Sequence, residues 1–346
     1  MSKFLLSLIL LLITACEDAT SPTQADSSEN TSWVFVANEG TFGASNGSIS
    51  MIGDTGDIYH TEAIGDVVQS LEVYGDKLIV LVNGSHKIKI YDITSEGLAM
   101  PGIEVSTEGS SPREMVIVND MLYFTNWYTS DVKIFNLYTY NIEGSIPVGT
   151  MPEGIIYDGA HIWVANSGGT TISKINIENQ LVEENIEVGQ GPQNFVIHDN
   201  DIYVSRTYYS DDWTMIYHGA SKIESPSSLM KEYGTGAVCT GTLVSYNQKI
   251  YRSFEDKIAS INNETLDINQ SDEIGSFGYD VYHVEVIDDN TWFAITDYST
   301  FNQVKVLDSN GSEVASYDVG INPGDFSIWP NISDGTRGAG TPPEGF

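Results

Sequence analysis

The side chains able to do chemistry are unevenly supplied in this chain of 346 residues. Serines are many, yet no Gly-x-Ser-x-Gly elbow leads from a strand into a helix, the arrangement that exposes a serine nucleophile. The six histidines are scattered, and no His-Glu-x-x-His or paired-cysteine spacing offers a ready metal site. A calcium loop would need a dense run of Asp and Asn at fixed spacing, and none is present. His283 is the histidine best placed to act, as a base or a metal ligand, with a neighbouring carboxylate as acid–base partner. His161 and His198 fall in or beside hairpin turns and are expected to be solvated. No catalytic set emerges and no cofactor is implied. Aromatic side chains, by contrast, crowd into segments that read as loops, and exposed rings there need a reason.

What positions these residues is a repeat. An apolar strand ending in a small polar residue recurs as Val34-Phe35-Val36-Ala37-Asn38, Ile79-Val80-Leu81-Val82-Asn83, Leu122-Tyr123-Phe124-Thr125-Asn126 and Ile162-Trp163-Val164-Ala165-Asn166. Blurred copies end at Arg206, Phe254 and Thr296, so seven copies follow one another at a mean spacing of 43 residues. A second motif leads it: Pro112-Arg113-Glu114-Met115, Pro152-Glu153-Gly154-Ile155 and Pro192-Gln193-Asn194-Phe195, 40 residues apart. Turn pairs such as Asn119-Asp120 and Asp158-Gly159 separate the two, which makes a hairpin. Alternating strands follow, as in Lys89-Ile90-Tyr91-Asp92 and Lys133-Ile134-Phe135-Asn136, and then a weaker fourth strand such as Leu181 to Val188. Four short strands in about 43 residues make one propeller blade. The spacing predicts an all-β, seven-bladed β-propeller over 32–330. Trp33 to Asn38 lacks a preceding proline motif, and Val319 to Phe326 lacks a following strand, so the two ends should complete one blade. The asparagines at 38, 83, 126 and 166 are expected to cap the turns after their strands.

That topology sends two sets of loops to one face. The loops leading into each first strand should ring the channel with Gln69, Ser70, Arg113, Glu114, Glu153, Gln193, Asn194, Tyr282, His283 and Asp325. Those joining second to third strands should carry Phe42, His86, Trp127, Tyr128, Tyr208, Tyr209, Trp213, Tyr298 and Phe301. The expected site is therefore an aromatic-lined binding face, with the fifth-blade insertion Arg206 to Tyr217 reading as a ligand-contacting loop rather than a strand.

Acidic residues outnumber basic ones 48 to 15, for a formal net charge of −33. Such a surface repels phosphate backbones and anionic bilayers, which argues against nucleic acid and favours a neutral or cationic ligand. A positive start at Lys3, an apolar run from Phe4 to Ile13 and the string Ile13-Thr14-Ala15-Cys16 resemble a bacterial lipobox. The resemblance implies a signal peptide over 1–15, lipidation of Cys16 and a flexible acidic tether over 16–31. The acyl chains would be the one contact with the membrane. Residues 331–346 read as a disordered tail. With Cys16 lipidated, Cys239 has no partner and is expected to be an inert core residue.

The order Val148-Gly149-Thr150-Met151-Pro152 through Trp163-Val164-Ala165-Asn166, and its counterpart from Val188 to Ser205, resembles the YVTN-type propeller repeat. With the lipobox, the chain is similar to Bacteroidetes surface propeller lipoproteins that deliver cobalamin or related corrinoids to an outer-membrane TonB-dependent transporter. The resemblance implies capture of a small, corrinoid-like molecule. A propeller lyase or hydrolase using His283, and an envelope scaffold without a small ligand, are the alternatives.

Overall fold

The computed structural model describes residues 32–236 and 241–330. The proposed signal peptide, Cys16, the tether, Cys239 and the tail lie outside them. Among the described residues are seven antiparallel sheets of four strands each and no helix. Six sheets take consecutive strands. Blade two, for example, runs Val68–Tyr74, Lys77–Val82, Lys87–Thr94 and Gly97–Ser106.

Blade one is built from both ends of the described chain, as expected. Pro323–Trp329 pairs antiparallel with Trp33–Asn38 and sets Trp33 opposite Trp329. The indole N–H of Trp33 donates to Thr94 O at 3.0 Å and that of Trp329 to Asp76 Oδ1 at 3.2 Å. The closing strands are thereby tied to blade two, and the two ends of the described chain share one sheet.

Seven apolar clusters fill the seven junctions between blades. Side chains of one strand alternate between two of them. Ile79 and Leu81 pack toward blade three, whereas Leu78, Val80 and Val82 pack toward blade one. A strand buried on both faces must be apolar at every position, which is why the second strands are the legible copies of the repeat. Outer strands such as Asn141–Pro147 alternate between exposed and covered residues and read weakly for that reason.

The innermost strands carry the feature that builds the site. Six of them shift register near their start, including between Val68 and Ser70, Pro112 and Met115, Pro152 and Ile155, and Val281 and His283. A bulge inserts residues that leave the ladder and re-aims their side chains, here Gln69, Arg113, Glu114, Glu153 and Tyr282. Hydroxyls fix the bulges in place: Thr125 Oγ1 accepts the Glu114 N–H at 3.0 Å and donates to Glu153 O at 2.7 Å. At Gly154 a Cβ would lie 2.1 Å from Gln193 O, so the approach of two neighbouring bulges requires glycine there.

Two expectations change and a third is extended. His198 is buried, 6 % exposed, and its Nδ1 bonds Ser245 Oγ at 2.8 Å between blades five and six. The fifth-blade insertion is mostly strand. Asp201–Tyr209 and Ile216–Glu224 extend the hairpin past the sheet, pairing Tyr208 with Tyr217, and leave 210–215 as the loop. The repeated asparagines bond across the turns after their strands as expected, Asn126 to Asp131 O and Asn166 to Thr171 Oγ1, but they are also buried and tie other segments. Asn83 donates to Ser111 Oγ and Pro112 O on the next blade, and Asn166 accepts from Gly149 N–H.

Candidate functional site

At the head of the channel the bulged residues form a closed network. Arg113 grips Glu153 with Nε and Nη2, at 3.0 and 2.6 Å, and donates Nη1 to Gln69 Oε1 at 2.5 Å. Its guanidinium lies 4.2 Å from the Trp127 ring centroid, and the Trp127 indole N–H donates to Glu153 Oε2 at 2.6 Å. Burial works against the charge on Arg113, but the bonded Glu153 together with Glu39 and Glu114 outweighs it and keeps the guanidinium protonated. Gln69, Arg113 and Trp127, expected to meet a ligand, therefore bind one another. Tyr282 is buried and donates its hydroxyl to Glu39 at 3.0 Å. Asn194 Oδ1 accepts the Leu243 N–H at 3.0 Å, and its neighbour Gln193 is half-buried beside it.

Farther along, a cavity of ≈ 210 Å³ is lined by Ser70, Glu72, Glu114, His283, Glu285 and Asp325, among others. His283 Nε2 stands 4.0 Å from Glu285 Oε2 and 3.9 Å from Asp325 Oδ1. Asp325 Oδ2 accepts the Leu71 N–H at 2.7 Å, so its other oxygen is the one turned to His283. Sequence reasoning found His283, Glu114 and Asp325 but missed Glu72 and Glu285. Each lies two residues beyond an expected lining residue, Ser70 and His283, and the period of a strand returns it to the same side. Glu39, directly after the Asn38 of the repeat, was missed as well.

These groups titrate far from their usual ranges. Burial pushes Glu285 up to about 8, helped by the charge of Glu72. Burial also lifts Glu72 to about 7, and Glu39 to about 7 against the pull of Arg113 and the Tyr282 hydroxyl. Glu114 and Asp325 are raised too, first by burial and then by neighbouring carboxylates. His283 is pushed down to about 4 by burial. Channel water still reaches Glu285, whose side chain keeps 38 % of its accessible surface. A neutral imidazole thus faces carboxyls that hold protons near neutrality, an acid and a base set apart by their surroundings.

On the face above, Phe42, Tyr128 and Trp213 are 80, 69 and 76 % exposed. Tyr209 and Tyr298 are partly so; Tyr209 packs on Trp213 with centroids 5.3 Å apart, and Tyr298 bonds Asp280. Tyr208 is held by Glu232 and stacks on Tyr217. The exposed rings belong to blades one, three, five and seven, so they ring the face rather than pool in one pocket. The string Gly43-Ala44-Ser45-Asn46-Gly47 fits the serine-elbow pattern, but it is a turn between antiparallel strands with Ser45 exposed. A larger groove of ≈ 620 Å³ lies on the outer strands of blade six. Its Asp267 is already paired with Lys231 at 2.5 Å, and it carries no comparable chemistry.

Charge is also buried on the opposite side of the ring. Arg252 donates to the carbonyls of Gly219, Ser253 and Arg206 at 3.1, 2.7 and 2.8 Å. Arg206 donates to Lys231 O at 2.8 Å, and its Nη1 sits 2.6 Å from Glu232 Oε1 in ion contact.

The sequence matches no protein-family model and no curated relative. Solved structures do resemble it. A candidate 6-phosphogluconolactonase from Bacteroides fragilis aligns over 90 % of this chain and 100 % of its own, at 14 % identity and a TM-score of 0.63. A similar protein from Bacteroides uniformis covers 86 % and 99 %, at 14 % identity and a TM-score of 0.62. Virginiamycin B lyase from Staphylococcus aureus covers 75 % and 87 %, at 15 % identity and 0.56. The fold is what they share. At these identities the likeness carries no site or substrate across.

Proposed function

We propose that this chain is a capture protein that holds a small molecule against the ringed face of its propeller. The observation that carries the reading is the exposure of three rings, Phe42, Tyr128 and Trp213, on loops that rise to one face. Rings offer broad contact at low entropic cost, and the strongly acidic surface favours a neutral or cationic ligand. Within that class a corrinoid is the ligand the repeat and lipobox resemblances suggest, with a lipid anchor at Cys16 and delivery to an outer-membrane transporter. Titration of the protein with cobalamin, followed by tryptophan fluorescence and by the corrinoid absorbance, tests it. Saturable quenching that weakens at least tenfold in Trp213→Ala is expected, and no spectral change at micromolar protein would overturn the corrinoid assignment.

A second reading rests on the channel. Neutral His283 beside protonated Glu285 is a base and acid within one cavity, the equipment of a lyase or lactone hydrolase, activities named for structural neighbours of the chain. Turnover lost in His283→Ala with ligand binding retained would favour it over capture.

A further inference from the structure

We infer that the channel cavity is a binding site for one divalent first-row cation, with His283 Nε2, Glu285 Oε2 and Asp325 Oδ1 as ligands. One ligand atom from each lies within 4.8 Å of the others. Ligands around a tetrahedral ion with bonds of about 2.1 Å stand about 3.4 Å apart. The two separations from His283, 3.9 and 4.0 Å, exceed this by about half an ångström, and the carboxylate pair lies within 4.8 Å, so the side chains would close inward on an ion.

An independent observation points to the same place. Ser70 is 2 % exposed, lines this cavity, and its Oγ has no hydrogen-bond partner. A buried hydroxyl without a partner costs about 1–3 kcal/mol, and an ion or its coordinated water in the cavity would remove that cost. Asp325 is oriented by the Leu71 N–H, and the His283 ring packs on Phe326 with centroids 5.6 Å apart. Further oxygen donors are at hand, since Glu72 and Glu114 line the same cavity, and the nearby Arg113 is held by Glu153.

The donor set selects the ion. One imidazole with two carboxylates suits Zn²⁺ or Mn²⁺, whereas Ca²⁺ seeks six to eight oxygens and Mg²⁺ retains its waters. The inference depends on neither reading of function given above, because a cation could organise a capture site or an enzyme's.

The test is calorimetric titration of the full-length chain, stripped of metal by chelator, with Zn²⁺, Mn²⁺, Ca²⁺ and Mg²⁺ at pH 7.5. One site per chain for Zn²⁺ or Mn²⁺ is expected, with Ca²⁺ and Mg²⁺ at least tenfold weaker. Glu285→Gln and Asp325→Asn should each weaken it at least about a hundredfold, beyond what second-shell changes cost elsewhere. Ser70→Ala should weaken it less, and Asp267→Asn on the outer surface not at all. Histidine NMR of the unmutated chain gives a reading that does not depend on how the variants fold: Zn²⁺ should move the His283 imidazole signal, assigned through His283→Gln. Absence of a saturable site, an unmoved imidazole, or equal affinity in Asp325→Asn would overturn the inference.

Discussion

Two regions of this ring bury charge, and they do so differently. Within the second strands of blades five and six, Arg206 and Arg252 are wholly enclosed, and the donors of Arg252 meet the carbonyls of three residues. On the other side, the innermost strands of blades one, two, three and seven turn Glu72, Glu114, Glu285, Asp325 and His283 into a cavity. The arginines are enclosed by backbone and hold the ring together. The carboxylates keep lone pairs directed at open space. A buried guanidinium whose three nitrogens all donate to carbonyls, as in Arg252, is architecture, whereas buried charge facing a cavity is capacity for a ligand.

The comparison can be broken first at the arginines. Arg252→Met should destabilise the protein by about 3–5 kcal/mol, since several buried carbonyls lose their donor at once. Urea denaturation measures this, and a loss below about 1 kcal/mol would show the arginine side to be no more structural than the acidic one. Gly219 belongs to the same lock: a Cβ there would stand 2.5 Å from Lys231 O.

The acidic side is sharpened by pH. Glu39, Glu72 and Glu285 titrate near 7, 7 and 8 when folded, against 4.5 when unperturbed. The folded state therefore keeps protons that the unfolded chain has released, and stability falls as pH rises through that window. His283, lowered from 6.5 to about 4, acts in the opposite sense, its contribution rising with pH between those values. Above pH 6.5 only the carboxyl effect remains, with Glu114 and Asp325 adding to it and the Arg113–Glu153 pair fixed. Metal-free protein should show a melting temperature that declines from pH 6.5 to 8.5, with a shallower slope in Glu285→Gln. A flat profile in the unmutated chain would remove the electrostatic distinction between the two regions.

The smallest expected effect on stability is at the loop face. Trp213, 76 % exposed, contributes about 0.5 kcal/mol or less. Trp213→Ala should leave the thermal melt nearly unchanged while altering ligand titrations. A large loss of stability would mean that the ring packs on blade five and does not serve a ligand.

Much of the ring was legible because its rules are local. The strand around Val80 is apolar at successive positions since both its faces are covered, and Pro112, Pro152 and Pro192 mark the bulged starts of inner strands at even spacing. Blades five to seven were harder to read. There Arg206 stands where the sharper copies carry asparagine and Arg252 where they carry an apolar residue such as Val36 or Val164, and the partners that make a buried arginine tolerable come from other strands. His198 looked solvated from its turn, but blade six covers it. Trp127 and Tyr282 looked like ligand contacts because nothing in their own segments shows that Arg113, Glu153 and Glu39 would engage them.

From the chain alone came the number of blades, the shared closing blade and the face to which each loop set rises, because these follow from repeat length and two-residue alternation. Only the tertiary structure decided that Ser70, His283, Glu285 and Asp325 meet. They sit on three different blades, and closing the ring sets the strand Pro323–Trp329 of blade one between the inner strands of blades two and seven. A register shift at the head of an inner strand turns side chains by half a pleat, and that turn depends on hydrogen bonds from neighbouring strands rather than on the strand's own residues.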